Sequence, residues 1–137
     1  MIAYTDGSYC KRKDGSYGVG WAFIVLDEYN SVIHEEYGAY NEYIESRNVG
    51  GEIYAVVRLL QYCEEIGVTE LEIRYDYEGI EMWLGKWKCK KELTKRYRDF
   101  VQGSPIKITF THVKGHSGEQ WNEMVDKLAK RGANEND

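Results

Sequence analysis

One proline in 137 residues, three cysteines and a deficit of positive charge set the first limits on this chain. A single proline beside 14% aromatic residues, including 12 Tyr and 4 Trp, excludes a disordered or proline-rich linker. Cys10, Cys63 and Cys89 are odd in number and widely spaced, with no C-x-x-C pair. That excludes a disulfide framework or a zinc knuckle, and predicts packed thiols in a reducing compartment. No apolar run approaches the roughly 18 residues that cross a bilayer. The start, MIAYTDGSYC, lacks the basic stretch and apolar stretch of a secretory leader. A cytoplasmic, soluble monomer with no membrane partner is expected. The length suits one domain that buries about two-thirds of its unfolded surface. We place that domain at 1–132, with a frayed tail at 133–137.

The net charge of −5 is the wrong sign for a polyanion binder, but its distribution reverses that conclusion. Residues 86–98 hold seven bases (Lys86, Lys88, Lys90, Lys91, Lys95, Arg96, Arg98) and one acid, Glu92. A local charge of +6 therefore sits against −11 on the rest of the chain. A basic arm on an acidic body suits a polyanion held on one side while carboxylates act on the other. Trp87 and Tyr97, interleaved with these cations, favour nucleic acid over a merely solvated helix face.

Residues 2–6 alternate and reach the turn signal Asp6-Gly7-Ser8. In 17–26, Val19, Trp21, Phe23 and Val25 share one parity and Gly18, Gly20 and Ala22 the other. This predicts a strand with one crowded face and one closely approached face. The second Asp-Gly-Ser, at 14–16, reads as a hairpin turn, and 27–31 as another before a third strand at 32–39. The period then changes: Val49, Ile53, Val56, Leu60 and Cys63 make one helical stripe, ended by Gly67. A strand through Leu71, Ile73 and Tyr75 ends at Asp76. A short helix near 79–83, a basic helix at 92–101, a fifth strand through Ile106, Ile108 and Phe110, and an amphipathic helix through Trp121, Val125 and Leu128 follow. The order β-β-β-α-β-α-α-β-α predicts an α/β domain in which an antiparallel meander receives parallel additions.

Most of the 23 acidic residues need no function, being surface charges. Asp6, Glu52, Asp76 and Asp126 stand where a surface acid is less expected. Singly each has a plain explanation: a turn residue, a first-turn acid, a strand end, a helix-surface acid. Together they could converge at one sheet edge, where they cannot all stay ionised without a counter-charge, and hard oxygen ligands favour Mg²⁺ or Mn²⁺. After the fifth strand, 111–119 adds His112, read as structural, and His116, flanked by Gly115 and Gly118 and suited to proton transfer. Glu119 and Glu123 read as acids at a helix N-terminus.

Tyr4-Thr5-Asp6-Gly7-Ser8, Arg47-Asn48-Val49-Gly50-Gly51-Glu52, Tyr75-Asp76, the stretch from His112 to Gly118 and the stretch from Asn122 to Ala129 resemble the successive motifs of type 1 ribonuclease H. The resemblance covers about 1–132 and is nearest to the bacterial subgroup whose members often carry an N-terminal hybrid-binding domain. It implies a ribonuclease H-like fold, a five-stranded mixed sheet flanked by helices. It implies endonucleolytic hydrolysis of the RNA strand of RNA/DNA hybrids, leaving 5′-phosphate and 3′-hydroxyl ends. By the same resemblance Asp6, Glu52, Asp76 and Asp126 hold two Mg²⁺ ions, with Mn²⁺ able to substitute, and His116 completes the catalytic set. One ion would activate water and the other would stabilise the leaving oxygen. Gly7, Ser8, Asn48 and Gly51 match contacts to the RNA strand and its 2′-hydroxyls. Trp87, Lys88, Lys90 and Lys91 match the basic protrusion against the DNA strand. Tyr77 stands where many members have serine, and Val49 where many have a second asparagine.

Two other readings remain. A junction resolvase or integrase of the same broad fold shares the acids loosely but not the His-Val-Lys-Gly-His-Ser-Gly loop. A non-catalytic hybrid-binding module would be signalled by loss of one of the four acids.

Overall fold

The computed structural model describes residues 1–42, 47–114 and 119–135. Its elements are β1 (Ile2–Lys11), β2 (Tyr17–Leu26), β3 (Val32–Tyr40), α1 (Asn48–Glu65), β4 (Glu70–Tyr75), α2 (Gly79–Met82), α3 (Glu92–Gln102), β5 (Lys107–His112) and α4 (Gln120–Ala133). They follow the expected order. Five strands form one sheet, β3-β2-β1-β4-β5. β1, β2 and β3 pair antiparallel, and β4 joins β1, and β5 joins β4, in parallel. No helix among the described residues is long and apolar enough to cross a membrane.

The two parities of β2 supply the two sides of the core. Val19, Trp21, Phe23 and Val25 pack with Ile53, Val56, Leu59 and Leu60 of α1 and with Leu93, Tyr97 and Val101 of α3. Ala22 and Ile24 face the other way, with Tyr4, against Val125 and Ala129 of α4. The glycine face of β2 admits a helix backbone directly. A Cβ on Gly20 would lie 2.0 Å from the Ala129 carbonyl oxygen and 2.3 Å from the Ala133 nitrogen.

Two expectations need correction. The first strand does not turn at Asp6-Gly7-Ser8 but runs on to Lys11, with these residues paired to Ala22, Trp21 and Gly20. Glycine is tolerated inside the strand because α1 crosses there: a Cβ on Gly7 would lie 2.2 Å from the Glu52 nitrogen. The tail does not fray from 132 or 133. Gly132 and Ala133 are buried residues of α4, Gly132 held against Gly38 of β3 and Ala133 against Gly18 and Gly20 of β2. The second Asp-Gly-Ser does make the turn, with Asp14 Oδ1 accepting from the Ser16 nitrogen at 2.9 Å and its hydroxyl at 2.6 Å.

Replacing Gly20 by Ala should therefore cost about 3 kcal/mol, because the methyl meets backbone that cannot rotate away. Chemical denaturation measures it, with Gly85→Ala as control, since a Cβ at Gly85 meets nothing within 4 Å. Equal stability of the two variants would mean that α4 does not lie on this face.

Candidate active site

Parallel pairing of β4 with β1 spans only Ile2–Tyr4 of β1, opposite Glu72–Arg74. Continued by two residues, that register would bring Asp76, just beyond Tyr75, level with Asp6, where the strands part. Ligand sites of α/β sheets form beyond the carboxyl ends of such strands. α1 completes the place from one side. The absent side chain of Gly7 lets the Gly51–Glu52 backbone touch β1, which carries the Glu52 carboxylate to Asp6. Glu52 is the fifth residue of α1, so it is not the first-turn acid expected; α1 has no acid in its first turn.

One carboxylate oxygen from each of Asp6, Glu52 and Asp76 lies within 4.8 Å of the others. Asp6 and Glu52 are each only 2% exposed. Asp6 Oδ1 accepts from the Gly7 backbone nitrogen at 2.9 Å. Glu52 Oε2 is buried with no hydrogen-bond partner. Among the described residues no ion pair reaches any of the three. Burial first, and then the charge of Asp76, push the Asp6 carboxyl up to about 8. Burial and the charge of Asp6 raise Glu52 well above the usual carboxylate range. Asp76 is raised by burial and by the charge of Asp126. Three oxygen donors with an orphaned oxygen and no ion-pair partner among the described residues fit a hard divalent cation.

Asp126 is not one of the trio but approaches it, its side chain interacting with that of Asp6. Its charge bears on both Asp6 and Asp76 from α4. Its own Oδ2 accepts from Lys130 Nζ at 2.9 Å, one helical turn on. That pair was visible as an i, i+4 spacing. His116 lies outside the described residues. His112 holds the edge of the site: its Nε2 is 2.8 Å from the Asp76 carbonyl oxygen, and its ring stacks on Tyr75 at 5.3 Å. Glu119, at the start of α4, accepts from the Tyr4 hydroxyl, which in turn accepts from Arg74 Nη1 at 2.7 Å. Arg74 also donates to Glu72 at 2.8 Å. No sequence signal marks this tie between α4 and the sheet, because each member alone looks like an ordinary strand or helix residue.

Of the remaining site residues, Gly7 and Gly51 form the close approach, and Asn48 is exposed at the first position of α1. Ser8 is buried, its hydroxyl 3.0 Å from the Cys10 sulfur. Lys88, Lys90 and Lys91 line a cavity of about 280 Å³ with Val49, Trp83, Leu93 and Thr94, so the basic arm reaches the N-terminal end of α1. Trp87 is exposed and meets Trp83 edge-on at 5.6 Å. Tyr97 does not join them. It is buried in the core, its hydroxyl donating to the Ile80 carbonyl at 2.6 Å, because its helical position faces α1.

A carboxylate trio gathered where β1 and β4 part, two of its members buried, with a basic arm reaching the start of the helix that supplies one of them, fits a divalent-cation site. The RNase H family profile matches residues 1–134. The Ribonuclease H of Francisella philomiragia is 34% identical over 146 residues, covering 96% of this chain and 89% of that one. That of Actinobacillus pleuropneumoniae is 34% identical over 149 residues, covering 96% and 88%. RNase H1 of Halobacterium salinarum shares the fold at a TM-score of 0.73, with 24% identity and coverage of 96% and 95%. LC11-RNase H1, isolated from compost and solved with an RNA/DNA hybrid, matches at 0.71, with 21% identity and coverage of 95% and 96%. The chain belongs to the RNase H family, whose members are divalent-metal-dependent nucleases.

The raised carboxyls give the metal-free protein an unusual pH dependence. A group whose folded pKa of about 8 exceeds its unfolded value near 4 contributes stability at low pH and loses it as pH rises towards 8. Metal-free thermal melts should therefore show Asp6→Asn more stable than the native chain at pH 8 and the gap closing towards pH 5. A lower melting temperature for the variant at pH 8 would show the carboxylates to be separately paired.

Proposed function

We propose that this chain is an endoribonuclease that hydrolyses the RNA strand of RNA/DNA hybrids, leaving 5′-phosphate and 3′-hydroxyl ends. The observation that carries the reading is the trio of Asp6, Glu52 and Asp76, the first two buried and the third half-buried, with no cationic side chain paired to it among the described residues. Asp6, Glu52, Asp76 and Asp126 would hold two Mg²⁺ ions, with Mn²⁺ accepted by the same oxygens. Bound divalent ions supply an activated water at neutral pH and charge stabilisation at the leaving oxygen.

The chain's own groups do the rest. Burial of Asp6 and Glu52 keeps bulk water from screening them, and Asp6, on the central strand, lies within 4.8 Å of Glu52 of α1 and of Asp76 just beyond β4. His112 fixes the Asp76 backbone, so the third carboxylate does not drift. Lys130 pairs with one oxygen of Asp126, which leaves the other oxygen to face the site's cation. His116, in the segment joining β5 to α4, would hand a proton to the leaving oxygen. Gly7, Ser8, Asn48 and Gly51 would read 2′-hydroxyls, which distinguish the RNA strand from DNA. Trp87, Lys88, Lys90 and Lys91 would hold the opposite strand through its phosphates. The hybrid-bound LC11-RNase H1 supports this choice of substrate.

Asp6→Asn should lower cleavage of a labelled hybrid in Mg²⁺ by at least about a hundredfold while leaving the circular dichroism spectrum unchanged. Native activity in that variant would remove the metal-site reading. Replacing Lys88, Lys90 and Lys91 by Ala should flatten the dependence of log affinity on log salt by about 0.9 for each phosphate that is no longer neutralised. An unaltered slope would mean that the arm faces elsewhere.

A further inference from the structure

The hairpin joining β1 to β2 carries a feature that the proposed chemistry leaves unused. Tyr9 and Tyr17 stack face to face across it, with ring centroids 5.0 Å apart and planes 12° from parallel. Both are exposed, Tyr9 to 37% and Tyr17 to 51%. The Arg47 guanidinium stands over the Tyr9 ring, 6.0 Å from its centroid. Tyr9 thus meets both a cation and a second ring, and half of Tyr17 remains exposed for a further ring to stack on.

The layer is preorganised and continuous with the site. Tyr9 lies two residues beyond Gly7 and so on the same face of β1, the face that meets the start of α1. Arg47 directly precedes Asn48 and α1, in a left-handed conformation (φ 55°) that a non-glycine residue adopts at a cost. Lys11, exposed, pairs in register with Tyr17, and the neighbouring Lys13 is exposed too. Arg12 is occupied elsewhere, its Nε donating to the Ala133 carbonyl at 3.1 Å. The turn is closed by the Arg12 nitrogen donating to the Ser16 carbonyl at 2.7 Å, so the two rings are fixed before any ligand arrives.

Aromatic rings among cations are the means by which proteins hold unpaired nucleotides, since every base offers a π-face and every phosphate a charge. A paired base inside a duplex could not reach such a layer. We propose that Tyr17, backed by Tyr9 and Arg47, stacks on an unpaired base of the cleaved RNA strand where that strand leaves the hybrid. Lys11 and Lys13 meet its phosphates. The enzyme then engages hybrids with a single-stranded RNA extension better than blunt ones. This rests on the hybrid-cleaving reading above and adds a substrate feature to it.

The test compares steady-state cleavage of one hybrid in blunt form with the same hybrid carrying a single-stranded extension on the 5′ or 3′ end of RNA, or on DNA. An RNA extension at one end should lower KM about tenfold, the order expected for one stacked base, with kcat little changed. Tyr17→Ala should erase that gain and leave blunt-hybrid cleavage as it was, whereas Tyr17→Phe should retain it. Should Tyr17→Ala fail to fold, Tyr17→Leu and the native comparison decide. Blunt cleavage with no gain from an RNA extension, a gain from the DNA extension alone, or a gain that survives Tyr17→Ala would overturn the proposal. No cleavage of any hybrid would instead overturn the reading on which it rests.

Discussion

Three carboxylates are pressed together where β1 and β4 part, and among the described residues no cationic side chain pairs with them. Burial and mutual repulsion act in the same direction, raising all three above the usual carboxylate range. A fold that existed only to be stable would not keep such a cluster, since protonating or replacing any member relieves it. The arrangement makes sense as a site whose missing charge comes from a ligand. The surrounding packing offsets the destabilisation.

That packing depends on backbone touching backbone. Gly7 lets α1 cross β1 closely enough for Glu52 to reach Asp6, and Gly20 lets α4 settle on β2. A helix standing off by a side-chain width at either point would separate the acids, and nothing else described would bring them back. α4 is held further by the Glu119–Tyr4–Arg74 chain, which fixes the helix that carries Asp126. Geometry of the site and stability of the two helix–sheet contacts are therefore one constraint.

Much of this was legible in the sequence. Periodicity and turn signals place the nine elements of the described residues in order, and the opposite parities of β2 announce a sheet covered on both sides. The acids stood out because each sat where a surface residue was not expected. What periodicity could not supply was depth and continuity. Asp6-Gly7-Ser8 has the composition of a turn, and only the crossing of α1 explains a glycine inside a continuing strand. Tyr97 looked like part of a nucleic-acid face because it lies among lysines, yet its helical phase points it at α1. Asp126 joins the other acids in the sequence by its place inside the last helix and by the family resemblance; in the fold its charge reaches Asp6 and Asp76 while its Oδ2 pairs with Lys130, a partner that only the helical spacing hints at. Stacking of Tyr9 on Tyr17 depends on a hairpin register that no single segment encodes.

The central claim is that the Asp6–Glu52–Asp76 trio serves metal-dependent cleavage of RNA paired with DNA. The most direct measurement offers one labelled RNA strand in three forms (alone, paired with RNA, paired with DNA), each with Mg²⁺ and with chelator. The account expects internal cuts in the DNA-paired form alone, abolished by chelator, with 5′-phosphate ends. Cutting that persists in chelator would contradict the role given to the carboxylates, and equal cutting of all three forms would contradict the substrate.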